Sequence, residues 1–150
     1  RDLVPLVRGA DDLAIQNYER AAVLEPINPF IKTQLGQLYL IKSGLFAGAG
    51  IEPDADYTAK AKAVLEKALE LNPNYANARY FYALIQDKEG LREEAFKNFA
   101  VLYQTNPNNE LIKQILNNLQ RGLTALGSPL VPVAPPDSPR AVETKGIPAK

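Results

Sequence analysis

The chain has 150 residues, and 17 basic residues balance 17 acidic ones, which gives a formal net charge of zero. This balance argues against nucleic acid or an anionic membrane as the main partner. The chain contains no Cys and no His, so disulfides are excluded and the commonest general base and metal ligand are absent.

Residues 1–10 are predicted to form an extended arm. Pro5 lacks an N–H donor and pushes Val4 toward extended geometry. Four apolar residues surround the proline and are expected to cover a hydrophobic face: Leu3, Val4, Leu6 and Val7. The alternative is the frayed end of a longer chain, since the sequence begins at Arg1 instead of Met.

Six helices are predicted between residues 11 and 121, because apolar side chains recur there at helical spacing. Asp11 or Asp12 is expected to cap the first helix, and Asn-Pro pairs separate several of the others. The expected ranges are 11–25, 29–43, 57–71, 75–88, 91–105 and 109–121. No apolar run approaches the roughly 20 residues that cross a bilayer.

A long loop rich in Gly and Ala is predicted at residues 44–56. Loops of this length are usually functional or partly disordered. Glu52, Asp54 and Asp56 alternate in it, but the glycine and distal glutamate of a calcium-binding loop are missing. Capping of the third helix by Asp54 or Asp56 explains these carboxylates better than calcium does.

Residues 122–150 are predicted to form an extended tail. The stretch from Pro129 to Pro139 is rich in proline and favours polyproline II geometry. Its apolar residues are expected to form a second arm that docks on this or another copy of the chain: Leu130, Val131 and Val133. The alternative is a flexible linker.

A fixed spacing of four, three and five residues occurs three times in the helical region. It joins the residues Ala14, Tyr18, Ala21 and Pro26, then Ala61, Leu65, Ala68 and Pro73, then Ala95, Phe99, Leu102 and Pro107. The last two sets lie 34 residues apart, and the first two are separated further by a surplus that matches the long loop. A helix–turn–helix period of 34 residues is typical of tetratricopeptide repeats.

On these residues, and on Leu35, Gly36 and Tyr39 of the second helix, the region 11–121 resembles the tetratricopeptide repeat family. The resemblance implies an all-α fold, a right-handed superhelix of about six helices. It also implies a concave groove lined by the first helix of each pair. By repeat position, the residues facing that groove are Phe30, Thr33, Gln34, Gln37, Asn77, Tyr80, Phe81, Leu84, Gln114 and Asn118.

The expected groove contains amides and aromatic rings. It lacks the basic clamp with which chaperone-adaptor members of the family hold a peptide carboxylate. Such a surface suits an extended, proline-rich peptide. The alternative for Tyr80 and Phe81 is that they only pack in the core.

Two functions follow as hypotheses. The first is a non-catalytic scaffold that binds a protein or peptide, without cofactor or metal, since no phosphate loop or metal-ligand spacing occurs. The second is a structural subunit that assembles with its own copies by head-to-tail helix stacking and by docking of the terminal arms. The repeat pattern lacks a helix to pair with the first one. That place could belong to a longer chain, be filled by residues 1–9, or be filled by the sixth helix of a neighbouring copy. Lys113, Asn117 and Gln120 argue against such stacking, because these polar residues occupy the positions on which a following helix would pack. They favour a sixth helix that caps the stack. The absence of Cys, Met, His and Trp favours an extracellular or cell-surface location.

Overall fold

The computed structural model describes residues 3–47 and 50–128, with side chains from residue 12 onward. This part of the chain is all-helical, as predicted. Its six helices are α1 (Leu3–Leu24), α2 (Pro29–Ser43), α3 (Ala55–Leu71), α4 (Ala76–Lys88), α5 (Arg92–Thr105) and α6 (Glu110–Gln120). Helices α2 to α6 begin and end within two residues of the predicted positions. Of the helices described, none is long and apolar enough to cross a membrane.

The first helix is longer than predicted. It begins at Leu3, so the prediction of an extended arm is wrong for residues 3–10. Pro5 falls in the first turn, where no N–H has an acceptor within the helix and the missing donor costs nothing. Asp12 therefore lies inside the helix instead of capping it, and its Oδ1 accepts a hydrogen bond from Lys42 Nζ at 2.7 Å.

The third helix begins at a side-chain cap. Asp54 Oδ1 accepts the backbone N–H groups of Asp56 and Tyr57 at 3.0 and 3.3 Å. These N–H groups have no acceptor within the helix, so the cap stabilises α3. The capping role predicted for Asp54 is confirmed.

Each helix packs against the next one along the chain, and α2 also contacts α4. One core cluster joins α1 to α4, and a second joins α4, α5 and α6. Helix α4 belongs to both, since it contributes Ala78 and Ile85 to the first and Ala83 and Leu84 to the second. The repeated small residues Ala61 and Ala95 are fully buried, as their spacing predicts.

Gly36 lies where α2 packs tightly against α3. A Cβ atom at this position would lie 2.7 Å from Cγ and 2.8 Å from Cδ2 of Leu65. Leu65 is fully buried, so its side chain has little room to move away. The absence of a side chain at Gly36 is therefore what allows the two helices to pack.

The Gly36→Ala variant is expected to lower the free energy of unfolding by about 1–2 kcal/mol. Overpacking against Leu65 costs ~1–3 kcal/mol, which exceeds the ~1 kcal/mol gained in helix propensity. Urea unfolding measures the change. In a Leu65→Ala background the clash disappears, so Gly36→Ala should there be stabilising. Stabilisation in both backgrounds would contradict the packing described.

Two tyrosines hydrogen-bond to glutamates on the preceding helix. The Tyr39 hydroxyl on α2 donates to Glu19 on α1 at 2.6 Å, and the Tyr82 hydroxyl on α4 donates to Glu66 on α3 at 2.8 Å. Burial, followed by the bonded carboxylate, raises the pKa of both phenols, that of Tyr82 to about 12. Both hydroxyls therefore stay protonated at pH values where an unfolded chain ionises.

Stability is expected to fall as the pH rises from about 10 to 12. A tyrosine ionises near pH 10 in the unfolded chain, whereas the pKa of folded Tyr82 is about 12. The stability that this raised pKa contributes is therefore complete below pH 10. It is lost between about pH 10 and pH 12, because the unfolded state releases its proton at a lower pH than the folded state does. Absorbance titration at 295 nm of the folded chain and its Tyr82→Phe variant should show that the variant lacks a late-titrating component. Loss of a component near pH 10 would contradict this assignment.

The folded region continues beyond residue 121, where the helical domain was predicted to end. Two turns, in which Gly122 and Gly127 have φ angles of 79° and 95°, bring Ala125 back onto the helices. Such angles are readily adopted only by glycine. Ala125 is buried in the second core cluster. We call residues 122–128 the C-terminal strap.

A buried polar network holds the C-terminal strap. The N–H of Ala125 donates to Asp87 Oδ2 at 2.8 Å, and Asn118 Nδ2 donates to the carbonyl oxygen of Ala125 at 3.0 Å. Arg92 donates to Asp87 Oδ1 at 2.9 Å and also to the carbonyl of Leu123. The ends of α4, α5 and α6 are thus joined through the strap.

Candidate functional site

An open cleft of about 330 Å³ lies between the C-terminal half of α2, the loop that follows it, and the middle of α4. We call it the α2–α4 cleft. The residues that line it are Gln37, Leu40, Ile41, Gly44, Phe46, Ala47, Phe81 and Leu84. Its volume lies at the lower end of the range of ligand pockets, ~300–1,000 Å³.

The helices place the cleft residues by their periodicity. Gln37, Leu40 and Ile41 are spaced three and four apart on α2 and therefore share one face. Phe81 and Leu84 have the same relation on α4. Gly44 ends α2 with a left-handed φ of 74°, which turns the chain so that Phe46 and Ala47 form the third wall.

The structure brings three of the predicted groove residues together in this cleft: Gln37, Phe81 and Leu84. Asn77 and Tyr80 line a separate depression of about 280 Å³ between α4 and the start of α6. Gln114 lines another depression, between α5 and α6. The predicted surface is therefore divided between several concavities.

Three predicted groove residues are buried: Thr33, Leu84 and Asn118. Leu84 is 7% exposed and belongs to the second core cluster, so only its edge reaches the α2–α4 cleft. Thr33 donates its hydroxyl to the carbonyl of Pro29 at 2.7 Å, and Asn118 is bonded to the C-terminal strap. Neither side chain is open to a partner in this conformation. Phe30 is half-exposed near the start of α2, and Gln34 is partly buried.

The residues of the two predicted self-association arms have no described side chains. The side chains of Leu3, Val4, Leu6 and Val7 are not among those described, although their backbone is helical. Leu130, Val131 and Val133 lie beyond residue 128, outside the described residues. Their predicted role in self-association stays a prediction.

Sequence reasoning missed five of the eight residues that line the cleft: Leu40, Ile41, Gly44, Phe46 and Ala47. The side chain of Ile41 is 54% exposed, although the preceding residues on α2, Tyr39 and Leu40, are buried. Phe46 follows the helix in a loop without periodicity, so no pattern signalled its position. The ammonium of Lys88 lies 5.4 Å from the centroid of the Phe46 ring, a cation–π contact at one end of the cleft.

The lining of the cleft is suited to binding. None of its eight residues carries a titratable side chain, so it provides no acid or base for proton transfer. Its apolar walls can bury aliphatic side chains, and the Gln37 amide can both donate and accept a hydrogen bond. Within the described residues, no group of three or more carboxylates could hold a metal ion.

No protein-family model matches this sequence, and the curated proteins that were searched contain no match to it either.

Proposed function

We propose that this chain is a non-catalytic protein-interaction module of the tetratricopeptide-repeat type, which binds an extended peptide in the α2–α4 cleft. The observation that carries the proposal is the meeting of Gln37, Phe81 and Leu84 in one open, uncharged cleft. Repeat position alone predicts all three of these residues. The exposed side chain of Ile41 at the same place leaves apolar surface that a partner would cover.

The repeat arrangement itself belongs to the proposal. Three observations support it: each helix packs on its successor, α2 contacts α4, and the small residues of the repeat are buried. Consecutive hairpins that share a core in this way form a solenoid. A right-handed superhelix would then place α2 and α4, the first helices of successive pairs, along the concave side.

An extended apolar peptide fits the lining of the cleft better than a charged ligand does. Apolar side chains of the peptide would enter between Ile41, Phe46 and Phe81, while Gln37 would bond to the peptide backbone. A proline-rich segment would lose little conformational entropy on binding, because its polyproline II geometry already exists in solution. No basic side chain lines the cleft, so recognition would not depend on a terminal carboxylate.

The Ile41→Ser variant is expected to weaken binding of such a peptide about tenfold. Covering the exposed half of an isoleucine contributes on the order of 1–1.5 kcal/mol, and 1.4 kcal/mol is a factor of ten in Kd. Peptides selected by display on the full chain supply the ligand, and fluorescence anisotropy measures Kd. Leu111→Ser is the matched control, since Leu111 is 53% exposed but lies on α6. Equal effects of the two substitutions would contradict the proposal.

A second candidate function, self-assembly, is favoured by exposed apolar residues on α1 and in the turn that joins it to α2. Leu24 and Ile27 are 76% and 77% exposed, and Leu13 is 59% exposed. If α6 of one copy covered this surface on the next, the contact would be heterologous and would propagate as a filament. Light scattering and electron microscopy of the full chain distinguish the two functions. Filaments that disperse on Leu24→Ser substitution would support assembly, and a monomer at all concentrations would exclude it.

A further inference from the structure

The C-terminal strap ends beside the α2–α4 cleft. A smaller cavity of about 160 Å³ is lined by Thr124, Ala125, Leu126 and Ser128, and it shares Phe46 and Leu84 with the cleft. Ser128 is the last residue that the structure describes. The polypeptide therefore leaves the described fold at the rim of the candidate binding site.

We propose that residues 129–136 of the same chain occupy the α2–α4 cleft and act as an internal competitor for its partner. This inference rests on the proposed function and names one occupant of the same cleft. Its sequence is Pro-Leu-Val-Pro-Val-Ala-Pro-Pro. The segment contains no charged residue, in agreement with a lining that contains none.

The segment is long enough to follow the cleft. Eight residues in polyproline II geometry span roughly 25 Å at ~3.1 Å per residue. The cleft runs along α2 from Gln37 to Gly44, a rise of roughly 10 Å at ~1.5 Å per residue. The segment is therefore longer than the cleft that it is proposed to occupy.

Attachment to the strap favours the chain's own segment over that of a second copy. A segment joined directly to the strap has an effective concentration of ~1 mM, which a separate molecule reaches only in concentrated solution. A segment whose intrinsic Kd for the cleft is ~0.1 mM would then occupy it about nine-tenths of the time. An external peptide would bind about tenfold more weakly than to an empty cleft.

The test uses the full chain and a full-length variant in which Leu130, Val131 and Val133 are each replaced by Ser. The probe is a fluorescently labelled peptide with the sequence of residues 129–136. It should bind the triple variant about tenfold more tightly than the native chain. Adding Ile41→Ser to the variant should weaken binding about tenfold. A full-length control with Val142→Ser and Ile147→Ser should behave like the native chain.

Each other outcome overturns the inference. Equal affinity of the peptide for native chain and triple variant would show an unoccupied cleft and would leave the proposed function intact. Absence of peptide binding to both would exclude this segment as a ligand, whereas display-selected peptides test the proposed function separately. NMR spectra of the native chain should show the same Ile41 and Gln37 amide shifts from about 10 to 500 μM. Shifts that change with concentration would identify a second copy as the occupant.

Discussion

Replacing Phe99 by Ala is expected to lower the free energy of unfolding by about 3–5 kcal/mol. Phe99 is fully buried on α5 and is the largest side chain of the second core cluster. Its ring packs edge-on against Tyr80, with centroids 6.1 Å apart. Truncation therefore removes an aromatic contact as well as buried apolar area. Urea unfolding followed by circular dichroism measures the loss.

Val101→Ala on the same helix is the control for this prediction. Val101 is exposed, and surface substitutions usually change stability by less than about 0.5 kcal/mol. The two variants differ in burial but share the helix and the new residue. A loss below about 1 kcal/mol for Phe99→Ala would show that α4, α5 and α6 do not share the core described.

Replacing Asp87 by Ala is expected to cost about 2–4 kcal/mol and to release the C-terminal strap. The Asp87 side chain is 3% exposed and that of Arg92 is 27% exposed. Removing one partner of a buried pair leaves the other charge poorly solvated, which costs ~3–5 kcal/mol in full burial and less at this exposure. The N–H of Ala125 would also lose its acceptor, a penalty of ~1–3 kcal/mol in a buried position.

Glu89→Ala provides the comparison, because Glu89 forms an ion pair with Lys62 at 2.7 Å with both side chains about one-third exposed. Exposed pairs contribute ~0–1 kcal/mol. Hydrogen exchange distinguishes a local from a general effect, since Asp87→Ala should accelerate exchange at Ala125 more than at Leu65. Unchanged protection at Ala125 would contradict the anchoring role of Asp87.

The helices could be predicted from sequence because their signals are local. Asn28, Asp54 and Asn109 cap α2, α3 and α6 through side-chain oxygens, and each precedes an apolar run with helical spacing. The interior positions Ala61 and Ala95 also follow from a short-range repeat. The caps depend on residues within about one turn of each other, and the repeat depends on spacings that can be counted along the chain, so a single sequence contains both.

The two ends of the fold could not be predicted in this way. Pro5 breaks a helix when it lies in the interior but not when it lies in the first turn, and the sequence does not show where the first turn begins. The C-terminal strap depends on a hydrogen bond from Ala125 to Asp87, 38 residues earlier. The glycines on either side of Ala125 indicate turns, but they do not identify the side chain that accepts the hydrogen bond from the N–H of Ala125.

The candidate site was predicted only in part for a related reason. Repeat position places Gln37, Phe81 and Leu84 on facing helices, and the structure brings them together. Repeat position cannot show that the C-terminal strap buries Asn118 or that the loop residue Phe46 forms one wall of the cleft. Both features depend on segments outside the repeat. The departures from the prediction thus occur where non-repeat segments meet the helices.

The central claim is that the α2–α4 cleft holds an extended peptide. Backbone-amide NMR shifts of the isotope-labelled full chain, recorded during titration with a display-selected peptide, test it most directly. The account predicts that the largest changes occur at Gln37, Ile41, Phe46, Phe81 and Leu84, the residues that line the cleft. Changes confined to α6 or to the exposed end of α1, with none at Ile41 and Phe81, would contradict it.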